Sequence, residues 1–178
     1  MTDLYTRHGG IPPFGILVSQ TWNEIGAILH IINTYHVDLF VEIGAHRGGL
    51  GSLLIAREEY DEKFLYIGIE IDPDVLNERF DNHVANVFIG NVFDVEYFDM
   101  LKGYVNIHKV PLIYCDGGDK PREFKVFSKI LPKGGLIMVH DYPKEFREEH
   151  FKDTELTRLD LDFLGIEGNR QILFQCLS

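Results

Sequence analysis

Apolar residues along this chain recur in two rhythms, short unbroken runs and helical repeats, and the two alternate. Thr21 followed by Glu24 has the form of a capping box, in which each side chain satisfies a backbone N–H at a helix start. Ile25, Ile28, Leu29, Ile32 and Tyr35 follow at helical spacing, so 21–35 reads as an amphipathic helix. Leu39 to Ile43 is an apolar run of strand length, and 49–59 resumes as helix. Phe64 to Ile71 is a second run, with Glu70 and Asp72 at its end, and Pro73 and Asp74 open a predicted helix through Asp81. Val87 to Ile89 predicts a short third strand and Val95 to Tyr104 a helix. Val110 to Cys115 is the fourth strand, with Pro111 near its start because proline cannot donate within a central ladder. Arg122 to Ile130 predicts a helix with Phe124, Phe127 and Leu131 on one face. Lys133-Gly134-Gly135 then turns into a fifth strand, Leu136 to Val139. Lys144 to Phe151 reads as a short charged helix. Leu156 to Leu164 and Gln171 to Leu177, separated by Gly168-Asn169, read as a terminal antiparallel hairpin.

Strands alternating with helices through short loops define an α/β fold. The expected sheet is mostly parallel and seven-stranded, with helices on both faces and the antiparallel hairpin at its C-terminal end. The 178 residues suffice for one domain, 1–178, in which 1–37 forms an arm and helix placed to serve as a lid. Gly9, Gly10, Pro12 and Pro13 make Met1 to Phe14 an irregular arm. The formal net charge of −11, with no basic run to offset it, disfavours nucleic acid as a partner. No apolar run approaches a membrane span, and no signal-peptide pattern opens the chain. Cys115 and Cys176 lie in apolar runs and read as buried free thiols, so a soluble cytoplasmic protein is expected.

Chemistry concentrates at the strand ends. The strands finish on Glu42, on Glu70, on Asp116, and on His140 with Asp141. In open α/β sheets the ligand lies outside the carboxyl ends of the strands, so these groups should converge on one crevice. After Glu42 the chain breaks into a loop with Gly44, Gly48, Gly49 and Gly51 and re-enters a helix, whose start offers N–H groups to an anion. The loop does not match the dinucleotide pattern, because Ala45 takes the second glycine position. Glu42 would repel a pyrophosphate and suits a ligand carrying an amino group; the plain alternative is a structural turn. Glu70 fits a carboxylate accepting from ribose hydroxyls, or else a helix cap, a task that Asp72 can take instead. His46 and Arg47 are placed to meet a ligand or to face solvent. Lys120, Arg122 and Tyr142 lie at the same sheet edge. His8, His30, His36, His83, His108 and His150 show no ligand spacing, and Trp22 and the helix-face phenylalanines are expected in the core.

The segments V-E-I-G-A-H-R-G-G, Y-I-G-I-E-I-D-P, F-I-G-N-V-F-D, L-I-Y-C-D-G-G-D and L-P-K-G-G-L-I-M-V-H-D resemble, in order, the motifs of class I S-adenosylmethionine-dependent methyltransferases. More narrowly the chain resembles the cephalosporin-hydroxylase and rhamnosyl O-methyltransferase group, which places a glutamine-bearing segment (here S-Q-T-W) and a helix before the glycine loop. The resemblance implies a Rossmann-like methyltransferase fold and a cofactor, S-adenosyl-L-methionine. Its contacts would be Glu42, Gly44, Ala45, His46 and Gly48 around the methionine part, Glu70 with Ile71 at the ribose, Asn91 and Val92 at adenine, and Asp116 beside the sulfonium. Metal-dependent relatives hold a divalent ion, such as Mg or Mn, at the ends of the fourth and fifth strands, which here gives Asp116, His140 and Asp141. His140 departs from the usual pair of oxygen ligands, and imidazole suits Zn, Fe or Mn better than Mg. The same histidine could instead act as general base, or simply be satisfied by a carboxylate. With Asp116, His140 and Asp141 as catalytic residues, the expected reaction is O-methylation of a small hydroxylated metabolite or sugar. The arm and first helix, or an oligomer partner, would close the site. Two other readings remain: a cofactor-binding module without turnover, and an NAD-dependent oxidoreductase.

Overall fold

The computed structural model describes residues 16–58, 60–81 and 86–178. The arm to Phe14, His8, Glu59 and His83 lie outside the described residues. Helix α1 (Trp22–Tyr35) opens with the expected capping box. Glu24 N–H donates to Thr21 Oγ1, and Thr21 N–H donates to the Glu24 carboxylate at 2.7 Å. Strand β1 (Leu39–Ile43) leads through the glycine loop to α2 (Gly49–Glu58) and then β2 (Leu65–Glu70). A short helix α3 (Glu78–Asp81), β3 (Val87–Ile89) and α4 (Val95–Ile107) complete the first half. β4 (Pro111–Cys115), α5 (Lys120–Phe127), β5 (Leu136–Val139), β6 (Thr157–Leu159) and β7 (Ile172–Gln175) form the second.

The sheet has seven strands in the order β3-β2-β1-β4-β5-β7-β6, as a mostly parallel α/β fold requires. β1 through β5 pair in parallel, and β7 enters antiparallel between β5 and β6. The central strands β1, β2, β4 and β5 are mostly apolar because both their faces are covered, whereas the edge strands β3 and β6 are partly exposed. Val41, Ile43, Ile67 and Ile113 face Leu101, Val105, Phe124 and Phe127 of α4 and α5. Phe40, Tyr66, Leu112 and Tyr114 face Ile28, Ile31, Ile32, Leu50 and Leu54 of α1 and α2. The chain builds outward from β1 and then returns to β4, so the topological switch point lies between them.

Four expectations are corrected. Pro73 to Asp81 is not one helix: a 3-10 turn spans Pro73–Val75, Asp72 Oδ1 accepts the Asp74 N–H, and Leu76 is extended, which interrupts the helix before α3. Lys144 to Phe151 forms turns and a 3-10 segment at Glu148–His150. Only Phe146 is buried there, and the Asp141 carbonyl draws in the N–H groups of Lys144 and Glu145, so the segment folds on a loop rather than as a free-standing short helix. Of Leu156 to Leu164 only Thr157–Leu159 finds partners on β7, and Asp162–Gly165 is a 3-10 turn. Trp22 is 52% exposed, because as the first residue of α1 it lies outside the buried stripe of that helix. Cys115 is buried as expected while Cys176 is only partly so, and both are free thiols. Among the described residues no helix is long and apolar enough to cross a membrane.

Candidate functional site

A cavity of about 720 Å³ opens at the carboxyl edge of the sheet, over the switch point, within the size range of small-ligand sites. Glu42, Gly44, Ala45, His46, Glu70, Ile71, Asn91, Val92, Asp116, His140 and Asp141 all line it. Gly48 lies off its wall. With φ +79 it turns the loop into α2, and a Cβ there would fall 2.1 Å from the Phe80 ring. Gly44, at φ +86, follows β1 and lies against the backbone that follows β4. A Cβ there would sit 2.8 Å from both the Asp116 carbonyl oxygen and the Gly117 Cα.

Glu42 stands opposite Gly68 on β2 and Tyr114 on β4. It is 2% exposed and accepts a 2.5 Å hydrogen bond from the Tyr66 hydroxyl. Gly68 clears that path, since a Cβ there would lie 2.7 Å from the same hydroxyl. Burial holds the Glu42 carboxyl well above the usual range against the Tyr66 bond, and the charges of Asp116 and Glu70 push the same way. Burial thus favours the neutral carboxyl, and a cation placed beside it would favour the ionised form. Glu70 organises the wall from below. Its Oε2 accepts the His46 N–H at 2.6 Å, and its Oε1 accepts the N–H groups of Ile71 and Asp72 at 2.8 and 3.0 Å. Oε2, with one such bond, retains acceptor capacity for a ligand hydroxyl, while Oε1 is filled by its two N–H groups. Asn91 Oδ1 accepts the Phe93 N–H, which fixes the amide at the cavity wall.

The opposite end is ionic. Asp116 receives Gln20 Nε2 on Oδ2 at 2.7 Å, and its Oδ1 lies 2.8 Å from His140 Nδ1. Glu24, fully buried, has Oε1 at 2.9 Å from His140 Nε2, so the ring is held between two carboxylates. Burial opposes the charged imidazole, but the Asp116 carboxylate beside Nδ1 and the bond to Glu24 outweigh it and raise its pKa to about 9. For Glu24 burial again opposes ionisation, while the His140 and Thr21 bonds and the charges of His140 and Arg170 bring its pKa down to about 2. Arg170 closes the cluster, reaching Asp141 Oδ1 at 2.6 Å and Glu24 Oε1 at 3.3 Å. Lys120 adds a buried ammonium, and Asp141 sits at φ +59, a conformation few non-glycine residues adopt. Beneath the loop, Glu123 accepts the Gly117 and Asp119 N–H groups at 3.2 Å, and burial raises its carboxyl to about 7.

A divalent ion is testable against this donor set. Asp116, His140 and Asp141 each present a ligand atom, all within 4.8 Å of one another. His140 Nδ1 is buried without a hydrogen bond: it is close to Asp116 Oδ1 but does not meet it in line. A buried orphan nitrogen aimed between two carboxylates fits a metal ligand, provided the imidazole gives up its proton.

Several members of this site were missed from sequence. Glu24 appeared only as a capping residue and Arg170 not at all, since their partners lie 116 and 29 residues away. Gln20 carried a signal in the S-Q-T-W segment. His46 and Arg47 line the cavity, as does Lys120. Arg122 instead lies over the Phe93 ring at 3.8 Å, and Tyr142 packs on Phe151 away from the cavity wall.

No protein-family model matches the sequence, and no curated protein matches it. Solved structures do match in fold. CmcI in its apo form superposes with a TM-score of 0.69 at 14% identity, over 94% of this chain and 77% of that one. CmcI in a form described with Mg and SAM gives 0.67 at 14% identity, over 93% and 76%. A candidate caffeoyl-CoA O-methyltransferase from Staphylococcus aureus gives 0.62 at 14% identity, over 90% and 86%. The chain therefore has the Rossmann-like methyltransferase fold. The structures it resembles include the candidate O-methyltransferase and a form of CmcI described with Mg and SAM.

Proposed function

We propose that the protein is an S-adenosylmethionine-dependent methyltransferase acting on a hydroxyl of a small metabolite or sugar. The observation that carries this reading is the single wall formed by Glu42, Glu70, Asn91 and Asp116 around one cavity at the switch point. S-adenosylmethionine, when bound, supplies an electrophilic methyl group. Glu42 would ionise against the amino group of the amino-acid part, because a cation beside it removes the cost of a buried charge. Glu70 Oε2 would accept a ribose hydroxyl while the carboxylate still holds the loop through His46, Ile71 and Asp72. The Asn91 amide would meet the base edge, with Val92 and Ile71 as its apolar flanks.

The acceptor would lie over the ends of β4 and β5. Asp116, oriented by Gln20, is the carboxylate placed to take the hydroxyl proton, and holding the two reactants in line contributes the rest. His140 is a protonated spacer between Asp116 and Glu24 and is not free to act as base in that state. Once His140 gives up its proton, Asp116, His140 and Asp141 would hold a divalent ion such as Mg or Mn, which would lower the acceptor pKa. A small acceptor suits the cavity and the acidic surface disfavours nucleic acid.

A second reading, a cofactor-binding module without turnover, draws on the same clamped histidine. An NAD-dependent enzyme is disfavoured by the loop itself, where Ala45 takes the second glycine position of the dinucleotide pattern. Calorimetric titration with S-adenosylmethionine, S-adenosylhomocysteine and NAD separates binding of the first two from the third. A screen of hydroxylated acceptors with labelled methyl donor then distinguishes an enzyme from a silent binder, and no transfer to any acceptor would favour the module.

A further inference from the structure

Lys120 stands where a cation would be. Its side chain enters the cluster from the first residue of α5, next to Pro121 and behind the Asp119 cap, so its backbone position is pinned. The residue is 5% exposed, and its ammonium donates to the Gly117 carbonyl at 2.9 Å and to Glu145 Oε2 at 3.0 Å. It also lies 3.4 Å from Asp141 Oδ2 and 3.9 Å from Asp116 Oδ1. Those same two oxygens flank the orphan His140 Nδ1, at 3.4 and 2.8 Å respectively. One pair of oxygens thus faces both the nitrogen that a metal would use and the ammonium that would repel it.

We propose that Lys120 is a resident counter-ion that competes with a divalent cation for Asp116, His140 and Asp141. A divalent ion bound by these groups would sit at about 2.1–2.5 Å from its oxygens. At that position it meets the repulsion of a buried ammonium that stands 3.4 Å from Asp141 Oδ2. Binding then requires the lysine to swing outward on its flexible stem together with Glu145, which it already meets at 3.0 Å and whose side chain is 54% exposed. The native chain is accordingly a weak cation binder whose carboxylates are already neutralised from within. Metal occupancy is set by the lysine as well as by the ligands.

This inference rests on the cation reading of the three residues and not on methyl transfer, so it is tested without cofactor. Calorimetric titration of the full chain with MnCl2 compares wild type with Lys120→Gln and Lys120→Arg. Removing the ammonium should tighten Mn2+ binding roughly tenfold or more, while arginine, which keeps the charge, should leave it near wild type. Adding Asp141→Asn to Lys120→Gln should abolish the gain, which ties it to this cluster rather than to the acidic surface. An affinity in Lys120→Gln equal to or weaker than wild type would overturn the proposal. Should Lys120→Gln be too unstable to titrate, Lys120→Met keeps the apolar stem. Its Tm should then rise more with MnCl2 than that of wild type, and an equal or smaller rise overturns the proposal in the same way.

Discussion

Glu24→Gln removes one negative charge from a place where the side chain is fully buried and faces His140 and Arg170. The amide keeps the shape and one acceptor but loses the ion pairs. His140 moves from 6.5 to about 9 in the folded protein. At about 1.4 kcal/mol per pKa unit this is worth about 3 kcal/mol, shared between Glu24 and Asp116. Glu24 moves by a similar amount, from 4.5 to about 2, but that is the same ion pair seen from its other end and is not added. Loss of one partner also leaves the imidazolium poorly compensated, so we expect Glu24→Gln to cost about 2–4 kcal/mol at neutral pH. The pH dependence is more diagnostic. Because the histidine pKa is raised, its stabilisation is complete below 6.5 and is lost as pH rises through about 9. Because the Glu24 pKa is lowered, its contribution is present above 4.5 and is lost as pH falls through about 2. Urea denaturation in EDTA across the alkaline window should therefore show wild type losing about 3 kcal/mol, and the variant losing clearly less and starting earlier. Equal losses in the two proteins would refute the claim that Glu24 holds the imidazolium.

Three further outcomes follow from the same structure. Glu70→Ala should weaken S-adenosylmethionine binding at least roughly tenfold and cost about 1–3 kcal/mol, because three loop N–H groups lose their acceptor; calorimetry and denaturation read the two effects separately. Gly44→Ala forces a Cβ to within 2.8 Å of the Asp116–Gly117 backbone at φ +86, so it should cost about 2 kcal/mol or more and abolish cofactor binding, measured the same way. Glu123, 2% exposed with its pKa raised to about 7, favours folding when protonated. Its contribution is full below 4.5 and lost as pH rises through 7, and Glu123→Gln should flatten the fall in stability across that window, which is about 3 kcal/mol at most.

The centre of the sheet was legible because β1, β2, β4 and β5 are covered on both faces and read as apolar runs between turn residues. The residues that end those strands were legible for the same reason: a carboxylate at the end of a buried run marks the crevice. The short segments were not. Pro73–Asp81 and Lys144–Phe151 carry helical composition, but an Asx turn at Asp72 and a loop gathered on the Asp141 carbonyl decide their form. The ionic end of the site was legible only in part. His140 left three roles open from sequence, and which groups clamp it depends on Glu24 and Arg170 arriving from α1 and from the loop before β7. Glu24 also satisfies a local rule as a capping residue, which conceals its long-range contact. Lys120 looked like one of several loop cations, and only its burial among four oxygens distinguishes it.

The central claim is that the carboxylates at the strand ends select an aminoacyl sulfonium nucleoside. Calorimetric titration of the full chain with S-adenosylmethionine, S-adenosylhomocysteine and NAD tests it most directly. The structure predicts saturable binding of the first two and none of NAD, with Glu70→Ala weakening both. Binding of NAD, or failure of both S-adenosyl compounds to bind, would contradict it.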